Sequence, residues 1–145
     1  MIVAIASDHG GFEQKQALIP FITELGYEVL DLGPEGEESV DYPDFAAAVA
    51  RAITLGKAER GVLVCGTGIG MAIAANKIKG IRAANVTSSE FAALAREHNN
   101  ANIVSLSGRF VSLAANKETV KTFLETPFAG NRHERRVAKI SALED

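Results

Sequence analysis

Gly61-Val62-Leu63-Val64-Cys65-Gly66-Thr67-Gly68-Ile69-Gly70 sets a short apolar run directly against three alternating glycines. Without polar alternation the run has the pattern of a strand buried on both faces, and the glycines behind it turn into a helix expected to reach about Lys77. The same unit recurs on either side. Upstream, Ile2 to Ala6 leads into Ser7-Asp8-His9-Gly10-Gly11, and Phe12 to Leu25 carries apolar residues at helical spacing up to Gly26. Tyr27 to Leu32 is a second strand, Gly33 to Ser39 a polar loop, and Pro43 opens a helix that Gly56 closes. Downstream, Ile81 to Val86 and Ile103 to Leu106 are strands, while Ser88 to His98, Val111 to about Leu124, and a last segment near Asn131 to Leu143 are helices. Such alternation implies parallel pairing through right-handed crossovers. The expected fold is α/β, a three-layer α/β/α, Rossmann-like arrangement with a five-stranded parallel sheet.

At 145 residues the chain has the length of one domain, spanning 1–145. Its 47% hydrophobic and 23% charged residues are ordinary globular composition, which excludes disordered and fibrous classes. No apolar stretch is long enough for a membrane span, and the first residues lack the basic flank of a signal peptide. Cys65 has no second cysteine to pair with, which suits a reducing, cytoplasmic location. A net charge of −3 without a long Lys/Arg run argues against nucleic acid or a membrane surface as partner. A small anionic ligand needs only a local positive pocket.

In open α/β sheets ligands bind beyond the carboxyl ends of the strands. That edge receives Asp8 to Gly11, Asp41-Tyr42-Pro43, Cys65 to Gly70 and Ser107-Gly108-Arg109. The glycine loop is not a dinucleotide fingerprint, because the third glycine position falls on Met71 or on Ile73. It lacks the lysine of a P-loop, and Met71 stands where a Cys-x5-Arg phosphatase loop needs arginine. What remains is a run of backbone amides open to an oxyanion or phosphate. Cys65, at the strand end before a helix, can serve there as a thiolate base or simply as a small buried hydrophobe.

His9 can contact a phosphate or act as a plain turn residue, and Tyr42 and Arg109 have equally ordinary surface readings. Arg132 and Arg136, four apart on the last helix, can reach one anion from a single face. His98, at the end of a helix just before the fifth strand, falls at the sheet edge opposite Cys65. Within one chain that is the wrong side for partnering the thiol.

Ser7 to Gly11, Asp41 to Asp44, Cys65 to Gly70, Ala74-Ala75-Asn76-Lys77 and Glu97-His98-Asn99 together resemble type B ribose-5-phosphate isomerases over nearly the whole chain. The resemblance implies a cofactor-free, metal-free aldose–ketose isomerase that interconverts ribose 5-phosphate and ribulose 5-phosphate through an enediolate, in the non-oxidative pentose phosphate pathway. It implies Cys65 as the base, the amides around Gly66, Gly68 and Gly70 as enediolate donors, and Thr67 holding sugar oxygens. His98 would open the furanose ring with Asn99 beside it, and Asp8 and Tyr42 would contact sugar hydroxyls. His9, Arg109, Arg132 and Arg136 would grip the phosphate. It further implies a homodimer or dimer of dimers with shared sites, the helix near 131–143 lying at the interface. His98, Asn99, Arg109, Arg132 and Arg136 are then expected to complete a site whose Cys65 belongs to the neighbouring chain. Met71 occupies the position at which some relatives that lack the cysteine carry a glutamate, which groups this chain with the cysteine-dependent type. Asn85 to Ser89 departs from the usual family pattern. Related isomerases act on galactose 6-phosphate, allose 6-phosphate or four-carbon ketose phosphates, and a non-catalytic sugar-phosphate-binding subunit is a further alternative.

Overall fold

Each apolar run of the sequence forms a strand of one parallel sheet in the computed structural model, which describes Met1–Glu144. The strands β1 (Ile2–Ser7), β2 (Glu28–Asp31), β3 (Arg60–Cys65), β4 (Ala83–Asn85) and β5 (Ile103–Ser107) lie in the order β2-β1-β3-β5-β4. The helices are α1 (Phe12–Glu24), α2 (Tyr42–Thr54), α3 (Ile69–Ala75), α4 (Ser89–Asn99), α5 (Leu113–Glu125) and α6 (Arg132–Ala142). Steps toward β2 run through α1 and α4, and steps the other way through α2 and α3. Right-handed crossovers therefore place the two pairs on opposite faces. The chain leaves β1 and β3 in opposite directions, so the switch point lies between their carboxyl ends.

Strand alternation sorts the core into two layers. Val3, Ile5, Val62, Val64, Val104 and Leu106 pack with Leu18, Ile22, Val120 and Phe123, whereas Ala4, Ala6, Leu63, Cys65 and Ile103 pack with Ala46, Val49, Ala50 and Met71. The second layer is rich in alanine, which lets α2 lie close to the sheet. Lys15 of α1 is fully buried, and its ammonium donates to Asp31 Oδ1 and Pro34 O, each at 2.8 Å. A buried charge needs such partners, and these tie α1 to the end of β2 and to the loop leading to α2.

Several elements are shorter than their sequence pattern, β2 and the last helix by a residue at each end, and in α3 and β4 side-chain bonds give the reason. α3 ends at Ala75 rather than Lys77, because Asn76 leaves the helix and its side chain bonds Ala83 twice, donating to O at 2.9 Å and accepting from N at 2.8 Å. β4 covers Ala83–Asn85 instead of Ile81 to Val86; the Arg82 N–H is taken by Asn102 Oδ1 at 2.8 Å. Side-chain amides thus substitute for strand partners at its start. No helix among the described residues is long and apolar enough to cross a membrane.

The tightest helix–sheet approach is at Gly11, where an added Cβ would stand 2.2 Å from the carbonyl oxygen of Val64. A backbone oxygen cannot rotate away, so Gly11→Ala is expected to cost about 3 kcal/mol in urea unfolding, the upper range for overpacking. Gly36→Ala, with nothing within 4 Å of the added carbon, should change stability by no more than about 0.5 kcal/mol. Equal effects at the two glycines would contradict the contact.

Candidate functional site

The switch point brings the loops after β1, β3 and β5 together. Asp8, only 9% exposed, is fixed by its own N–H on Val64 O at 3.1 Å and by the Gly11 N–H on its Oδ1 at 3.0 Å. His9 is exposed beside it. Cys65 is 5% exposed, and the Gly68 N–H points at its Sγ from 3.1 Å. Gly68 has the left-handed φ of +83° that this turn requires, and Ile69 N–H donates to Thr67 Oγ1 at 3.1 Å. The N–H groups of Thr67 and Gly70 donate to no acceptor among the described residues. The Tyr42 ring closes one side: an added Cβ on Gly70 would lie 2.6 Å from its Cε1. Met71 points away and is completely buried.

Arg109 belongs to this same edge. An added Cβ would be 3.3 Å from its Nε and Nη2 at Gly10, and 3.3 Å from its Nη1 at Gly66. This is the edge where the sequence places the Ser107-Gly108-Arg109 loop, while the shared-site expectation groups Arg109 with His98 and the arginines of the last helix. The Arg109 N–H on Gly66 O at 3.2 Å and the Gly108 N–H on Cys65 O at 2.8 Å fold the β5 loop back over the β3 loop. The guanidinium therefore faces its own chain's Cys65 loop.

A second cluster lies at the opposite edge. α4 runs against the strands, so its last turn delivers His98 and Asn99 near the start of β5. Buried Arg96 fixes that end through Nε to Thr126 O at 3.0 Å and Nη1 to Asn100 Oδ1 and Ala101 O at 2.9 and 2.6 Å. Burial, followed by the charges of Arg60 and Arg82, lowers its pKa to about 10, which leaves it cationic at neutral pH. The Ala129 N–H donates to Glu97 O at 3.1 Å and sets the start of α6 beside α4. There the rings of His98 and His133 stack, with centroids 4.4 Å apart and planes inclined by 14°. Arg132 and Arg136 are exposed on the same helix.

The family resemblance groups His98, Asn99, Arg132 and Arg136, and neither it nor the sequence pattern singles out His133. Its signal was available, since it lies one turn before Val137, and these are the two residues of α6 that become buried. Burial first, then the positive charges of His98, Arg132 and Arg136, push His133 below the usual histidine range. Among the described residues no group of three or more His, Cys, Asp or Glu side chains is arranged to hold a metal ion.

With this geometry in view, residues 3–140 match the profile of the ribose/galactose isomerase family. The chain is 49% identical to the solved ribose-5-phosphate isomerase B of Clostridium thermocellum, with a TM-score of 0.98 over 99% of this chain and 97% of that one. It is 44% identical to the Mycoplasma genitalium ribose-5-phosphate isomerase B solved with bound ribulose 5-phosphate, at a TM-score of 0.94 over 99% of this chain and 95% of that one. It is also 40% identical to ribose-5-phosphate isomerase B of Escherichia coli, covering 98% of this chain and 95% of that relative. A buried thiol under open amides at the switch point of a five-stranded sheet thus comes with full-length similarity, and the chain belongs to the ribose/galactose isomerase family.

Proposed function

We propose that this protein interconverts ribose 5-phosphate and ribulose 5-phosphate, with Cys65 as the base. The observation that carries this reading is the Gly68 N–H aimed at Cys65 Sγ inside a loop whose Thr67 and Gly70 amides are open. In the open-chain aldose the thiolate takes the C2 proton, the C–H electron pair becomes the C1=C2 bond, and charge collects on O1. Proton transfer from O2 to O1, then return of the carbon-bound proton to C1, leaves the C2 ketone. One carbon is reduced and its neighbour oxidised, so the electrons balance within the substrate. The open amides stabilise the enediolate, a type of interaction worth about 3 kcal/mol per donor. Thr67, Asp8 and Tyr42 hold sugar oxygens, and His9 and Arg109 meet the phosphate from the same chain.

The second cluster completes the site from another copy of the chain in a homodimer or dimer of dimers. His98 opens the ring, Asn99 holds it, and Arg132 and Arg136 close on the phosphate. Supporting this, Tyr42, Ile69 and Ile73 are 41–58% exposed next to the glycine loop, and Ile140 and Leu143 are 44% and 82% exposed on or just beyond α6. A cavity of about 520 Å³ between β4 and the end of α6 is lined by Asn99, Ile81, Ile140 and Leu143. These are surfaces that a second copy would cover, with α6 at the interface. Neutral His133 gives the His98 ring a stacking face without adding charge to it.

Ribose 5-phosphate should be converted to ribulose 5-phosphate in the presence of EDTA, and Cys65→Ala should lower kcat about 10²–10⁴-fold, the usual contribution of a positioned base. Turnover of allose 6-phosphate or a four-carbon ketose phosphate in place of the pentose would overturn the substrate assignment. Mixing Cys65→Ala with His98→Ala, each inactive alone, should restore about a quarter of wild-type activity after random exchange in a two-fold dimer. No recovery after verified exchange would rule out the shared site.

For His133 the unfolded chain, with a pKa of about 6.5, binds the proton more readily than the folded one. Its contribution to stability is full above that pH and is lost as the pH falls. The drop in Tm between pH 7.5 and 5.5 should therefore be smaller in His133→Phe than in the wild type. An equal drop in both would show that His133 is not held neutral.

A further inference from the structure

Three successive carbonyls of the glycine loop are each gripped from below by a side chain. Ser107 Oγ donates to Gly66 O at 2.7 Å, Asn85 Nδ2 to Thr67 O at 3.3 Å, and Ser105 Oγ to Gly68 O at 2.6 Å. Asn85 Nδ2 also donates to Ser105 O at 3.0 Å, which braces β4 against β5. Ser105 and Ser107 pair in register with Leu63 and Cys65 and are 0% and 2% exposed. Two buried hydroxyls in an otherwise apolar strand require acceptors, and the loop carbonyls supply them.

In a planar trans peptide the C=O of one residue and the N–H of the next point in opposite directions. Fixing each carbonyl downward therefore aims the following amide upward. The Thr67–Gly68 peptide shows the consequence directly: its carbonyl sits on Asn85 and its N–H on Cys65 Sγ at 3.1 Å. The Gly68–Ile69 peptide has its carbonyl on Ser105 and its N–H on Thr67 Oγ1. The Gly66–Thr67 peptide has its carbonyl on Ser107, which turns the open Thr67 N–H toward the site. The loop fits this close to β5 because residue 68 is glycine; an added Cβ would meet Asn85 Nδ2 at 2.4 Å and Leu106 O at 2.9 Å.

We infer that Asn85, Ser105 and Ser107 are positioning residues that set the direction of the loop amides, and that Asn85 in particular aims the Gly68 N–H at the Cys65 sulfur. None touches the reacting atoms. This deepens the reading of Cys65 as base and rests on it for its catalytic consequence, but the aim of the amide can be measured without any substrate. It also gives a physical role to Asn85, the residue that opens the segment departing from the usual family pattern.

Cys65 is the chain's one cysteine, so ultraviolet thiolate absorbance and iodoacetamide alkylation both report on it alone. Asn85 is exposed at the sheet edge, and Asn85→Leu keeps its bulk while removing the donor. Asn85→Leu should reduce the thiolate signal and the alkylation rate at neutral pH by about tenfold, the effect of weakening a hydrogen bond to a charged acceptor, whereas Ser105→Ala, which frees the peptide that aims the Ile69 N–H at Thr67 Oγ1, should change them less. In Asn85→Leu, kcat for ribose 5-phosphate should fall in parallel while KM changes by less than about twofold, because the lost donor acts on the base and not on substrate binding. Ser88→Ala, which removes the N-cap of α4 and destabilises the fold, should leave the thiolate signal unchanged. If Asn85→Leu lowers Tm but, like Ser88→Ala, leaves the thiolate at its wild-type level, the positioning role is overturned. A reduced thiolate signal in a protein that turns over no pentose phosphate would keep the positioning role and reject the isomerase reading.

Discussion

In the middle of a parallel sheet covered on both faces, neighbouring strands consume each strand's backbone donors. Around the central strands β1, β3 and β5, open amides can exist only where the strands end, and here those three ends are drawn together by close backbone approach. Gly11 sits on the Val64 carbonyl, and an added Cβ on Gly108 would lie 2.8 Å from the Gly10 carbonyl oxygen. Everything proposed for Cys65 follows from this crowding. The thiol is held nearly buried in the alanine-rich layer while its neighbours' amides remain unspent. α3 has only seven residues, so local amides rather than a long helix supply the field at the sulfur.

The same geometry divides the chemistry. His98 lies nine residues along α4 from Ser89, and at about 1.5 Å of rise each the helix carries it roughly 14 Å from its starting edge. No histidine side chain spans that gap, so His98 and the Cys65 of the same chain are structurally separate. The cluster of His98, His133, Arg132 and Arg136 is internally coherent, held by the Arg96 hydrogen bonds and the Ala129–Glu97 link. On the proposed reading, the two clusters at opposite edges become parts of one site when a second copy of the chain brings them together.

Alternation of apolar runs with helical periodicity made the five strands and six helices legible, since burial on both faces leaves an unbroken apolar signature. The edge holding Asp8, Tyr42 and Cys65 to Gly70 was legible for the same reason: strand ends are marked by glycine and polar residues. The limits of α3 and β4 were not, because the side chains of Asn76 and Asn102 take over backbone bonds across the fold. The placement of Arg109 at the Cys65 edge was legible too, but not the way its loop folds over the glycine loop, which depends on hydrogen bonds to Cys65 and Gly66 that no local pattern encodes. The burial of His133 could be read from its spacing to Val137, but not its stacking on His98, and the Ser105, Ser107 and Asn85 hydrogen bonds to the glycine loop left no trace in the local sequence. Their importance lies in what they touch, and each alone looks like ordinary polar filling.

On the shared-site reading, α6 is the element that has most to gain from assembly. Its inner face contributes His133 and Val137 to the fold, while Arg132 and Arg136 point outward with no acidic partner in an ion pair among the described residues. Past its end, the Gly80 N–H meets the Glu144 carboxylate, so the helix is tethered at both ends yet exposes Ile140 and Leu143 between charged neighbours. Apolar exposure of this kind gains stability when covered, at about 25 cal/mol per Å². The two arginines gain their counterion when a phosphate arrives. A second copy would satisfy the first need and bring the arginines to the second, which couples assembly of the site to recognition of the substrate's anionic end.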